Sequence, residues 1–147
     1  DEVVKEISFI TEKLPEDLIK RYRACDYFYN DIKSAYIAAD VVVSRAGASN
    51  IFEIAVFGKP SILIPLPPDV AASDHQTKNA YEYAAKGAAI VMEQANLLAN
   101  LFIGQIKKIT QNPTEANKMR EAALNFSRPE AASKIAQIIV ELWSGRR

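Results

Sequence analysis

Short, wholly apolar runs alternate along this chain with segments whose apolar residues recur at helical spacing. The run at 41–43 is three consecutive valines, and such a β-branched run predicts a strand buried on both faces, as in a parallel sheet. The segment 50–57 predicts a helix that Gly58 ends. "SILIPL" then predicts a second buried strand, 74–87 a helix closed by Gly87, and "AAIVM" a further strand. Upstream, Ile32, Ala35, Tyr36 and Ala39 recur as one helix face, with Asn30 as a plausible cap. "ACDYF" at 24–28 reads as a short aromatic strand, which brings the expected strands to about four. Residues 1–13 carry a partial helical face, and "KLPEDLIKRYR" is a charged connector with room for one helical turn.

The rest of the chain predicts helices. Leu97, Leu98, Leu101, Phe102, Gln105, Ile106 and Ile109 trace one stripe. Asn112-Pro113-Thr114-Glu115 and Ser127-Arg128-Pro129-Glu130 both have the form of capping boxes with proline at the first helical position. Ile135, Ile138, Ile139 and Leu142 give the last helix its apolar face. Strands alternating with helices imply right-handed βαβ units, hence a Rossmann-like parallel sheet with flanking helices. Sheets of this kind usually have five or six strands, so the first strands are expected to be missing. The open edge this leaves invites pairing with a second copy.

Composition narrows the function classes. Lys plus Arg and Asp plus Glu number 18 each, and this balance argues against nucleic acid as a partner of the whole surface. Cys25 is the lone cysteine, so no internal disulfide and no cysteine-based metal site is expected, and a reduced, cytosolic setting fits best. No apolar run approaches the length of a membrane span.

The candidate chemistry sits in two turns at the carboxyl ends of strands, where ligands bind in sheets of this type. The first is "SRAGASN". Gly47 and Ala48 let a ligand approach the backbone, and the unpaired N–H groups opening the next helix favour an anion such as phosphate. Glu53 follows on a helix that is otherwise apolar. It either reaches back to Asn50 in a capping box or accepts two vicinal hydroxyls of a ribose, one per oxygen. The second turn is the long loop from Pro67 into "DHQTKNA", and long loops at this end of a sheet usually carry function. His75, Gln76 and Asn79 at the next helix start could read sugar hydroxyls. The bland alternative has Asp74 capping that helix and His75 facing solvent. No second ligand set accompanies His75, so no metal and no cofactor is expected.

"ADVVVSRAGASNIFEIAVFGKPSILIPLP" followed by "DHQTKNAYEYAAKGAAIV" closely resembles the donor-binding half of the MurG family. These are bacterial transferases that move N-acetylglucosamine (GlcNAc) from UDP-GlcNAc to lipid I, giving lipid II in peptidoglycan synthesis. The likeness runs over about 26–91, and "NFSRPEAASKIAQIIVEL" resembles the family's C-terminal helix. The resemblance implies the C-terminal half of a GT-B fold, with residues 1–147 a partial UDP-sugar-binding domain. The lipid acceptor would sit on a separate N-terminal domain, and the whole enzyme would work at the inner face of the bacterial plasma membrane.

Residue by residue, the resemblance places Phe28 and Tyr29 at the uracil, and Gly47, Ala48, Ser49 and Asn50 where the helix start meets the diphosphate. Glu53 falls at the ribose hydroxyls, His75 and Gln76 at the GlcNAc hydroxyls, and Asn79 one turn on. Asn50 departs from the family's common threonine and offers an amide donor instead. No catalytic residue is assigned, and this portion alone is not expected to complete transfer. Another GT-B glycolipid synthase, a donor subunit with a separate acceptor chain, and an inactive structural fragment are the competing expectations.

Overall fold

The computed structural model describes residues 7, 9, 11, 13–29, 31–67, 70 and 74–145. The chain divides into two units, 1–35 and 36–147. In the first, α1 (Glu16–Ile19) is the single helical turn expected of the connector. Residues 24–29 form no strand, against expectation: they are exposed, and aromatic propensity makes a strand only where a neighbour supplies the ladder. Most of the weak helical pattern over 1–13, and the Asn30 cap, lie outside the described residues. The helix α2 (Ile32–Ala38) follows and runs across the boundary of the units.

The second unit holds the sheet. Three parallel strands, β1 (Val42–Ser44), β2 (Ser61–Leu63) and β3 (Ala89–Val91), lie in the order β1-β2-β3. Val43 pairs with Ile62, and Ile62 with Ile90. The described strands number three rather than four. Between them run α3 (Ala48–Val56) and α4 (His75–Ala85), and a 3-10 turn at Gln94–Asn96 leads into α5 (Ala99–Thr110), α6 (Pro113–Phe126) and α7 (Ala131–Ser144).

Side chains alternate across a strand, and β2 shows the consequence. Leu63 joins Ile51, Ile54, Ala55, Ala80 and Tyr83 in one buried cluster. Ile62 joins Met92, Ile109 and Met119 in another. All three residues of β2 are buried, as a central parallel strand requires. The valine run departs from this. Among the described strands β1 lies at an edge, and Val43 is exposed.

Several ends are set by single residues. Gly58 closes α3 with φ 57°, a conformation that costs L-residues, and a Cβ there would stand 2.8 Å from Leu124 Cγ. Lys59, buried beside it, donates its Nζ to the carbonyls of Ile37 and Ala39, both at 3.0 Å, satisfying the end of α2. Asn112 caps α6 by accepting from the Glu115 N–H at 3.1 Å, with Pro113 at the first position. The second expected capping box does not form. Ser127 Oγ donates back to the Leu124 carbonyl at 2.7 Å, and Arg128 Nη1 donates to the Asn125, Phe126 and Ser127 carbonyls, so both side chains serve the end of α6. The stripe on α5 turns Phe102, Ile106 and Ile109 inward, while Leu97, Leu98 and Leu101 stay exposed.

Tyr83 is fully buried, edge-on to Phe126 at 4.9 Å, and its hydroxyl has no partner among the described residues. Burial pushes its pKa from 10.0 up to about 12. The unfolded chain therefore sheds this proton first, so the tyrosine costs stability as pH rises through about 10 to 12. Tyr83→Phe should raise stability near neutral pH by about 1 kcal/mol, because it removes an unpaired polar group. It should also flatten the alkaline limb of a denaturant-midpoint-versus-pH curve. A destabilised variant would show that the hydroxyl has a partner.

Candidate functional site

The site is built at the carboxyl ends of β1 and β2. Ser44 ends β1, and Arg45, Ala46 and Gly47 turn the chain into α3. Gly47 is the cap residue of α3, and no side chain caps the helix. The first backbone bond across its start runs from the Ile51 N–H to the Gly47 carbonyl at 3.1 Å, which leaves the N–H groups of Ala48, Ser49 and Asn50 without helical acceptors. Gly47 has φ −64°, which any residue adopts, and a Cβ there would come no nearer than 4.0 Å to a protein atom, Asn50 Nδ2. The fold does not require glycine at this position. What glycine keeps clear is space outside the protein.

The helix begins at Ala48, two residues before the sequence pattern places it, so Asn50 stands inside its first turn and cannot form a capping box with Glu53. Asn50 Nδ2 instead donates to Ser44 Oγ at 3.3 Å, and Ser44 Oγ donates to the Arg45 carbonyl at 2.9 Å. These bonds hold the turn from inside. Ile51, Ile54 and Ala55 are buried, and Phe52, Glu53 and Val56 face outward. The Glu53 carboxylate accepts from the Tyr36 hydroxyl at 3.3 Å.

Across the turn stands α4. Asp74 precedes it without capping it. Its carboxylate pairs with Lys78 at 2.9 Å, and that bond holds its pKa below the usual aspartate value. His75 is exposed and makes no hydrogen bond among the described residues. Gln76 and Asn79 are half-buried and partly engaged. Gln76 Oε1 accepts from the Leu66 N–H at 3.1 Å, fixing the chain as it leaves β2. Asn79 Nδ2 donates to the Ala46 carbonyl at 3.5 Å, tying α4 to the β1–α3 turn. What each retains for a ligand is the other end of its amide: Nε2 of Gln76 and Oδ1 of Asn79. Phe28 and Tyr29 lie in the first unit, exposed, with the Tyr29 ring edge-on to Tyr27 at 5.0 Å.

Arg45 and Tyr36 have parts in this geometry that the sequence reading did not give them. Arg45 Nη1 donates to Gln94 Oε1 at 2.9 Å and lies 3.3 and 3.4 Å from the Ile64 and Pro65 carbonyls. One guanidinium thus straps the exits of all three strands. The signal in the sequence is an arginine at the end of an apolar strand, but its partners lie 19 to 49 residues away. A cavity of about 170 Å³ opens beside this strap, lined by Pro65, Leu66, Pro67, Thr77, Glu93 and Gln94 among others. Another, of about 60 Å³, lies along α3 between Ala48, Phe52, Asn79 and Glu82. Pro68, Asp69, Ala71, Ala72 and Ser73 of the long loop lie outside the described residues.

Comparison with known proteins gives a consistent result. Residues 7–138 match the family described as the glycosyltransferase family 28 C-terminal domain. A protein of Anaeromyxobacter sp. is 38% identical over 133 residues, covering 86% of this chain and 34% of its own length. One of Pseudomonas savastanoi pv. phaseolicola is 40% identical over 118 residues, with 80% and 33% covered. Both are named UDP-N-acetylglucosamine–N-acetylmuramyl-(pentapeptide) pyrophosphoryl-undecaprenol N-acetylglucosamine transferase. The crystal structure of Acinetobacter baumannii MurG superposes with a TM-score of 0.67 at 31% identity, covering 78% of this chain and 32% of that one. The chain spans about a third of the length of the curated relatives it matches.

Proposed function

The chain belongs to the glycosyltransferase family 28 C-terminal domain family, and on that premise we propose that residues 1–147 form part of the UDP-GlcNAc-binding domain of a GT-B glycosyltransferase. The reaction is transfer of GlcNAc to lipid I, forming lipid II in peptidoglycan synthesis. The acceptor binds to another domain, at the cytoplasmic face of the bacterial plasma membrane. No helix among the described residues is long and apolar enough to cross a membrane.

The observation that carries this reading is the order of groups along α3: a side-chain-free turn at Gly47, three N–H groups without helical acceptors, then an outward carboxylate one turn on. A nucleoside diphosphate presents a phosphate and then a vicinal diol in the same order. In transfer, a base removes the acceptor hydroxyl's proton and the oxygen forms a bond to the anomeric carbon. The sugar–phosphate bond breaks with its electron pair going to UDP. The role of α3 is electrostatic, since its N-terminus and N–H groups stabilise the charge that grows on the departing diphosphate. Gln76 Nε2, His75 and Asn79 Oδ1 supply the polar groups for the sugar.

Titration of the ¹⁵N-labelled chain with UDP and with uridine tests this. UDP is expected to shift the Ala48, Ser49 and Asn50 amides, and uridine to leave those three nearly still. Equal responses to both ligands, or none to UDP, would remove the diphosphate from the turn.

A further inference from the structure

An exposed glutamate on a helix ordinarily samples several rotamers, yet one oxygen of Glu53 is held. The Tyr36 hydroxyl donates to Oε2 at 3.3 Å. Tyr36 is itself fixed. Its ring stacks on Phe57, with centroids 5.0 Å apart and planes 16° from parallel, and packs against the buried cluster beneath α3 and α4. Phe57 is the residue that ends α3. The ring therefore clamps α2 to the helix that carries Glu53. Burial first, then the charge and hydrogen bond of Glu53, raise the Tyr36 pKa above the usual phenol value, so the hydroxyl remains a donor throughout the neutral range.

We propose that Tyr36 is a positioning residue for recognition of the ribose diol, holding the Glu53 carboxylate so that it faces two adjacent hydroxyls. The proposal rests on the reading of Glu53 as the ribose ligand. Its physical basis is preorganisation: a carboxylate ordered before binding loses less rotamer freedom when the diol arrives. The chemistry of the partner matters too. A lysine or arginine in this place would hold Glu53 but would also offset its charge and compete with the diol. A phenol holds one lone pair and leaves the charge whole. A carboxylate offers about four acceptor directions, so Oε2 can still receive one ribose hydroxyl while Oε1 receives the other.

Tyr36→Phe keeps the ring and its stack and removes only the hydroxyl. Against UDP the variant should bind about three- to tenfold more weakly, the scale of one hydrogen bond to a charged group acting indirectly. Against UDP lacking the 2′ and 3′ hydroxyls it should match the unmodified chain. In the Glu53→Gln background the same substitution should add no further loss, because the tyrosine acts only through the carboxylate. Thermal melting should be nearly unchanged. Equal loss for both ligands, or no loss for UDP, overturns the positioning role. The underlying reading is checked separately: if Glu53→Gln loses as much affinity for the dideoxy analogue as for UDP, or none for UDP, Glu53 does not hold the ribose, and the proposal falls with it. If Glu53→Gln loses affinity for UDP alone and Tyr36→Phe does not, only the role of Tyr36 is lost.

Discussion

Glu53→Gln is expected to weaken UDP binding at least tenfold while leaving the melting temperature nearly unchanged. Two ribose hydroxyls donating to one carboxylate make two charge-assisted bonds, each worth about 1.5–3 kcal/mol. The neutral amide keeps the shape but replaces one acceptor with a donor and removes the charge. Partial replacement by water and by the remaining amide oxygen reduces the loss, which still leaves a tenfold effect as the lower bound. Stability is insulated from the change. The side chain is exposed, it caps no helix, and its protein donor among the described residues is the Tyr36 hydroxyl at 3.3 Å. Had Glu53 served a capping box, the substitution would lower stability and spare UDP. Since α3 begins at Ala48 with Gly47 as its cap residue, that outcome has no structural basis. Unchanged UDP affinity in a calorimetric titration of the variant would remove Glu53 from the nucleotide site.

What was legible in the sequence follows from what kind of interaction sets each feature. The β2–β3 core and the helices between strands were legible because burial on both faces demands uninterrupted apolar runs, and because Gly58 and Gly87 adopt φ 57° and 83°, which glycine alone takes at little cost. The edge position of β1 was not legible, since a run of valines reads the same at an edge as in a centre. "ACDYF" misled because aromatic propensity describes fit to a sheet, and no strand pairs with it in the described structure. At Ser127 the local pattern for a cap was present, but the hydroxyl and the neighbouring arginine found the closer carbonyls at the end of α6.

The candidate site divides in the same way. Its turn and its polar residues were legible from residue type alone. The contacts that orient them, Arg45 to Gln94, Tyr36 to Glu53, Gln76 to Leu66 and Asn79 to Ala46, join residues 10 to 49 positions apart. Each joins a side chain to a helix or loop that only the folded chain brings near. Local periodicity carries no information about such pairs.

Gln76 is where that hidden contact changes an experiment. The sequence alone makes Gln76→Ala the natural test of sugar reading, with a selective loss of UDP-GlcNAc. The structure gives the side chain a second task, since its Oε1 accepts from the Leu66 N–H at 3.1 Å beside the cavity after β2. Alanine therefore removes a sugar donor and also leaves a half-buried N–H unpaired, at a cost of about 1–3 kcal/mol where water cannot replace the bond. Its effects would be mixed. Gln76→Glu separates them. A carboxylate still accepts from Leu66 but has no N–H for the sugar. Its added charge repels UDP more than UDP-GlcNAc, because the terminal phosphate of UDP carries one more ionisable oxygen, so UDP methylated on that phosphate, which has the charge of UDP-GlcNAc, is the reference. The expected result is a melting temperature near that of the unmodified chain for the Glu variant and a lower one for the Ala variant, with both losing about tenfold in the preference for UDP-GlcNAc over that reference. Preference over the C4 epimer UDP-GalNAc should fall as well, because a site built on hydrogen bonds rejects an epimer by leaving a polar group unpaired. If the Glu variant keeps its full preference for UDP-GlcNAc, Gln76 serves only the loop, and sugar reading passes to His75 and Asn79.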